Sequence, residues 1–191
     1  MKHIILSLLL LTPTLTISNE ENSNQKNSDK KSSNREISSQ TETSKKFELT
    51  TLKGETLHIS TKPNGLNIQE FKGKVIFLSF FGYNCPPCRR EIPEFIKMRE
   101  KYGKELEIIA IEVRGLDKNY LKSYVKERGI NYPIIPFNKQ TKKFAYHTAK
   151  KADWKGAIPF LIVLDKKGEV QFLQTGLVPY DALEMAFQKL K

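Results

Sequence analysis

Cys85 and Cys88 are the only cysteines in a chain of 191 residues, and they stand two residues apart in Cys85-Pro86-Pro87-Cys88. Thiols at this spacing can close into a disulfide and reopen. The apolar run Val75-Ile76-Phe77-Leu78-Ser79-Phe80-Phe81 precedes them and an amphipathic stretch follows, so the pair falls where a strand hands over to a helix. The unpaired N–H groups and dipole at a helix N-terminus stabilise thiolate, the reactive form of the side chain. Two blander readings compete: a buried structural pair, or half of a zinc site. A structural zinc site needs about four ligands, and beyond residue 46 only His58 and His147 are available, each isolated in sequence. Reversible dithiol–disulfide exchange is the favoured chemistry, and it calls for no metal and no cofactor.

The surrounding elements are those such a pair needs. Phe47–Thr51 and Thr56–Ser60 alternate and flank Lys53-Gly54, which predicts a β-hairpin. Leu66, Ile68 and Phe71 are expected on a short helical turn ending near Gly73. Val75–Phe80, Leu106–Val113 and Phe160–Leu164 are apolar at nearly every residue, the pattern of strands covered on both faces. Helices are expected over 86–102, 119–128, 141–151 and 180–190, with Tyr120, Leu121, Tyr124 and Val125 forming the apolar face of the second. Tyr132–Ile135 reads as a short edge element, and Asp165–Gly168 as a turn into a strand over Val170–Gln174. The order implies an α/β fold with a mixed central sheet flanked by helices.

The chain divides into three parts. Met1-Lys2-His3 and the apolar stretch Ile4–Ile17 have the form of a secretory signal, so 1–18 is expected to be a signal peptide or a signal anchor. A membrane span needs about 20 apolar residues, which makes 4–17 marginal as a permanent tether. Residues 19–46 are Asn, Ser, Lys, Glu and Gln with Ile37 as the one large aliphatic side chain, a composition that cannot offset its ordering entropy. This polar tether would have an end-to-end distance on the order of 30 Å. Residues 47–191 are enough for one domain with a proper core. That segment holds 25 basic and 16 acidic residues, a net +9 of the chain's +11. Its lysines are scattered among acids with no aromatic interleaving, so a solvated basic surface is the reading, and nucleic acid is not an expected partner.

Several segments together resemble the thioredoxin superfamily and, within it, the exported TlpA/ResA-like thiol–disulfide oxidoreductases. They are Phe71-Lys72-Gly73-Lys74-Val75, Cys85-Pro86-Pro87-Cys88-Arg89-Arg90-Glu91-Ile92-Pro93, Ala157-Ile158-Pro159-Phe160, the Asp165–Gly168 turn and Gly176. The resemblance implies a thioredoxin-like fold with an N-terminal β-hairpin, Cys85 as the more exposed attacking thiol and Cys88 as the buried resolving one. It implies a cis peptide before Pro159 beside the dithiol, leaving the Ile158 backbone to pair with substrate. Glu91 lies three residues beyond Cys88 on the same helix face; partly buried, it would take the Cys88 proton and raise the thiol pKa values. Glu94 and Glu112 are weaker candidates, and Pro93 should kink the helix. Three departures stand out. Asn84, preceded by Tyr83, occupies the place of a usual tryptophan and bears on substrate binding; Ser79 stands where thioredoxin has a buried aspartate; and 137–156, with His147 and Trp154, looks long and would shape a groove.

The resemblance further implies a periplasmic or extracytoplasmic location and the disulfides of client proteins as substrate. Apocytochrome c is the leading client, so that cytochrome c biogenesis is the setting, and a membrane thiol reductase is the electron donor. Rival readings are a disulfide oxidase for secreted proteins and a copper-binding protein using the two cysteines with His147.

Overall fold

The computed structural model describes residues 44–191. The expected signal segment 1–18 and residues 19–43 of the tether lie outside the described residues. The first described residues already belong to the fold: Ser44 Oγ donates to the Thr61 carbonyl at 2.8 Å, the Lys45 N–H donates to Thr61 Oγ1 at 2.9 Å, and the first strand opens at Lys46.

Strands β1 (Lys46–Thr50), β2 (Thr56–Lys62) and β3 (Gly65–Ile68) form a small antiparallel sheet in that order. The hairpin is therefore extended by a third strand where a helical turn was expected. Leu66 and Ile68 are two apart and both buried, a strand period, and they pair with Thr61 and Ile59 of β2; only Gln69–Phe71 turn, as one 3₁₀ turn.

Five strands make the main sheet, in the order β6 (Ile134–Ile135), β5 (Leu106–Glu112), β4 (Val75–Phe81), β7 (Phe160–Leu164), β8 (Val170–Thr175). β4 runs parallel to β5 and antiparallel to β7, β5–β6 is parallel and β7–β8 antiparallel, so the sheet is mixed as expected. Every residue of β4, β5 and β7 is buried, which explains why they are apolar but for Ser79, Glu107 and Glu112.

Alternation along β4 divides the core. Val75, Phe77 and Phe81 join one cluster with Cys88, Ile92, Phe95 and Met98 of α1 (Pro86–Tyr102) and Leu183 and Phe187 of α4 (Tyr180–Leu190). Ile76, Leu78 and Phe80 join the other with Leu49, Leu57 and Ile59 of the small sheet and Phe144 of α3 (Lys139–Ala152). Ser79 shares the parity of the α1-facing set. In α2 (Lys118–Glu127), Leu121 is buried, but Tyr120 is 71% exposed and does not belong to the apolar face expected for it.

The two sheets touch where Gly65 meets Gly168. A Cβ on Gly65 would lie 2.0 Å from the Gly168 carbonyl oxygen, and Gly168 has φ +79°. Leu66 N–H donates to that same oxygen at 2.9 Å. Gly65→Ala should therefore destabilise by more than about 1 kcal/mol, read as a lower urea midpoint with unchanged m-value; an unchanged midpoint would mean that the contact is dispensable.

Candidate active site

β4 ends at Phe81 and the chain turns through Gly82, Tyr83 and Asn84 so that Cys85 becomes the N-cap of α1. Cys85 N–H donates to the Gly82 carbonyl at 3.2 Å, and Pro86 and Pro87 fill the first helical turn, where a missing N–H loses nothing. Cys85 and Cys88 form a disulfide, and the Cys88 N–H points at Cys85 Sγ at 3.3 Å. This donor is one of the orphan N–H groups of the helix start, and it favours negative charge on Cys85. Access differs less than expected: Cys85 is 7% exposed and Cys88 2%, so Cys85 is the outer sulfur but largely covered while the disulfide is closed.

The covering comes from the loop before β7. The Ile158–Pro159 peptide is cis, and the Ile158 carbonyl oxygen lies 3.7 Å from Cys85 Sγ. This loop is tied down on both sides: the Gly176 N–H donates to the Pro159 carbonyl at 2.8 Å, and Trp154 Nε1 donates to the Ala157 carbonyl at 2.6 Å while its ring stacks on Phe160 with centroids 5.0 Å apart. Asn84 is exposed at the mouth beside Tyr83. The 137–156 stretch is mostly α3; with Thr61–Leu66 it lines a cleft of about 370 Å³ that neither cysteine borders, and Trp154 is its contribution to the dithiol loop.

Glu91 is 2% exposed. The buried residues of α1 are Cys88, Glu91, Ile92, Phe95 and Met98, a single helical stripe, so the carboxyl is placed in the apolar face by its spacing from Cys88. Among the described residues its one hydrogen-bond donor is the Val178 N–H, at 3.3 Å from Oε1. Burial pushes its pKa up to about 7, against the opposing pull of that N–H and of the nearby Ser79 hydroxyl. Ser79 Oγ is itself buried and, among the described residues, has no hydrogen-bond partner at normal distance. Tyr132 is buried close by; burial raises its phenol pKa and the Glu91 charge raises it further. Pro93 lies inside α1, which continues through it to Tyr102.

The two weaker carboxylate candidates are engaged elsewhere. Glu94 pairs with Lys97 at 3.2 Å. Glu112, fully buried at the end of β5, accepts from the N–H groups of Arg114, Gly115 and Leu116 at 2.9, 2.8 and 3.1 Å, and so holds the loop beside Gly82. Val178 and Arg114 also reach the site, although no local sequence pattern ties them to the dithiol. His147 is not brought to the cysteines: its ring packs against Phe47 at 5.5 Å, and among the described residues no three His, Cys, Asp or Glu side chains gather as a metal would require.

The chain belongs to the AhpC/TSA family, a thioredoxin-like family whose model matches residues 41–173, and by class it is a thiol–disulfide oxidoreductase. It is 29% identical over 150 residues to the thiol-disulfide oxidoreductase ResA of Geobacillus kaustophilus, covering 78% of this chain and 76% of that one. It is 25% identical over 140 residues to the thioredoxin-like protein YneN of Bacillus subtilis, with 72% of each covered. Among solved structures, StoA from Bacillus subtilis superposes with TM-score 0.55 at 22% identity, covering 74% of this chain and 95% of that one. A thioredoxin-family thiol:disulfide interchange protein from Chlorobium tepidum gives TM-score 0.62 at 22% identity, covering 76% and 92%. These likenesses show the fold.

A carboxyl whose pKa is about 7 when folded, against 4.5 when exposed, binds more protons in the folded than in the unfolded state between those values. The stability of the oxidised protein should therefore fall as pH rises from about 4.5 to 7, by roughly 3 kcal/mol in all. Glu91→Gln should abolish that fall and be the more stable protein at pH 8, as measured by urea unfolding. Equal pH profiles would show that Glu91 is not buried as a free carboxyl.

Proposed function

We propose that this protein is an exported reductase of client disulfides, working in the periplasm or at the outer face of the membrane. Among the described residues no helix is long and apolar enough to cross a membrane; the tether proposed is residues 4–17. The observation that carries the reductase reading is the buried Glu91 one helical turn from Cys88. Side chains at i and i+3 lie about 6 Å apart, where a carboxylate at an effective dielectric of 20 repels a thiolate by roughly 3 kcal/mol. The helix N-terminus stabilises thiolate by only about 1 kcal/mol. The repulsion wins, thiolate is disfavoured, and the pair is poised to give electrons away. The N–H at Cys85 Sγ is what favours the rival oxidase reading, and it is the weaker of the two effects.

In the reductive half-reaction Cys85, as thiolate, attacks one sulfur of the client disulfide, and the other client sulfur leaves and takes a proton. Glu91 takes the proton of Cys88, which attacks Cys85 Sγ and releases the second client sulfur as a thiol. Two electrons pass to the client and the Cys85–Cys88 disulfide forms. A dithiol donor, here a membrane thiol reductase, must then reduce it. The Ile158 backbone, with Pro159 fixed behind it, lies where an extended client strand would run, and Asn84 borders the entrance. Apocytochrome c is the proposed client because its two haem-attachment cysteines must be free thiols before haem is joined to them.

The reduced protein should convert an oxidised Cys-x-x-Cys-His peptide to its dithiol, with two peptide thiols appearing per protein disulfide formed. Cys88→Ser should stop at the mixed disulfide through Cys85, visible by mass, and Cys85→Ser should form none. Net oxidation of the reduced peptide by the oxidised protein would contradict the direction proposed.

A further inference from the structure

The chain has 26 lysines and only six arginines. Of the five arginines within the described residues, Arg89 and Arg90 follow the dithiol in sequence, Arg114 lies against Gly82 and Arg128 against Tyr124. The fifth, Arg99, is locked to Glu107 by hydrogen bonds of 2.7 and 3.2 Å. Arg89 and Arg90 follow Cys88 directly and are exposed. Arg114 is held by a built device. Buried Glu112 grips the backbone N–H groups of 114, 115 and 116, and Gly115 adopts φ +81° to make the turn. The stem of Arg114 then lies flat on Gly82, where a Cβ would sit 2.5 Å from Arg114 Cγ and 2.9 Å from Ile158 Cδ1. Arg114 thus sits beside the residue whose carbonyl faces Cys85 Sγ. Arg128 stacks on Tyr124 at 4.6 Å, and Tyr124 in turn lies against Phe81 with centroids 6.5 Å apart. Burial raises the Tyr124 phenol pKa while Arg128 and Arg89 oppose it, which places both guanidinium groups within Coulombic reach of one ring.

Of the neighbouring acids, all but Glu127 are buried or engaged elsewhere. Glu91 and Glu112 are buried, Glu94 is paired with Lys97, and Asp117 caps the N-terminus of α2 through the N–H groups of Asn119 and Tyr120. Glu127 stands next to Arg128 on the last turn of α2. Arginine rather than lysine at these positions points to carboxylate as the group recognised, because the planar guanidinium binds it with two parallel hydrogen bonds.

We propose that the arginine rim, with Arg114 at its centre, selects client segments that carry Asp or Glu close to the target cysteines. This deepens the reductase reading and rests on it. The rim steers acidic clients to the dithiol, so selection acts on the encounter rate and is screened by salt. It adds a layer of choice that a bare dithiol lacks, since one peptide disulfide is chemically much like another.

The test uses the reduced protein and three disulfide peptides that differ only in the residues flanking the cysteines: Asp, Lys or uncharged. At about 20 mM salt the Asp peptide should react on the order of 10-fold faster than the Lys peptide, and the ratio should shrink to within about 2-fold at 0.5 M salt. Arg114→Ala combined with Arg89→Ala should bring the Asp peptide down to the rate of the uncharged one. Arg114→Lys should keep part of the advantage, since charge survives and the fork is lost. Equal wild-type rates on all three peptides would overturn the selection while leaving the reductase reading intact. An Asp advantage that survives in the double variant would overturn the assignment to these arginines. No reduction of even the uncharged peptide would sink the reductase reading itself.

Discussion

A carboxyl group buried one helical turn from the Cys85–Cys88 disulfide is the constraint on which the proposed active end of this molecule depends. Glu91 is in the apolar stripe of α1 with Cys88, Ile92 and Phe95, and among the described residues its one donor is the Val178 N–H. An ionised group so poorly compensated is costly to hold, and its pKa moves up to about 7 in response. The same poor compensation makes it useful. A carboxyl that titrates near neutrality can receive the proton of a neighbouring thiol and return it, which a solvated glutamate cannot do efficiently. The fold tolerates the loss of stability because three fully buried strands and clusters on both sheet faces supply the rest.

The architecture around that pair is a set of fixed positions meeting at one end of the sheet. The end of β4 and the start of α1 place the sulfurs, the loop before β7 places Ile158 over Cys85, and the turn after β8 brings Val178 under Glu91. The end of β5 places Glu112, whose three backbone hydrogen bonds shape the loop carrying Arg114. Each of these is a loop at the end of a sheet strand, and β4, β5 and β7 are buried throughout, so the chemistry is positioned by the rigid sheet and exposed only at its rim.

Much of this was legible in the sequence because the relevant signals are local. The dithiol, the prolines after Cys85, the apolar strands and the turn at Asp165–Gly168 each announce themselves within a few residues. Leu66 and Ile68 misled because two apolar residues followed by Phe71 fit a helical turn as well as a strand; pairing with β2, a contact distant in sequence, decided it. Tyr120 fits the spacing of a buried face that packing then assigned to Leu121, with Tyr124 and Val125 partly buried beside it. Glu91 within Arg89-Arg90-Glu91 looks equally like a solvated charge run, and only the stripe shared with Cys88 and Phe95 hints at its burial. Val178 and Arg114 left no signal, since they reach the site through the ends of β8 and β5 rather than through any motif.

In the proposed mechanism Glu91 makes the Cys85–Cys88 pair a reductant, and the equilibrium reduction potential reports that poise. Titration of the wild type and Glu91→Gln against a thiol redox buffer at pH 8, where the carboxyl is ionised, should put the wild type near roughly −250 mV or below. The variant, relieved of the repulsion, should be measurably less reducing. A wild-type value near roughly −120 mV would mark an oxidant, and equal potentials for the two proteins would remove Glu91 from the account.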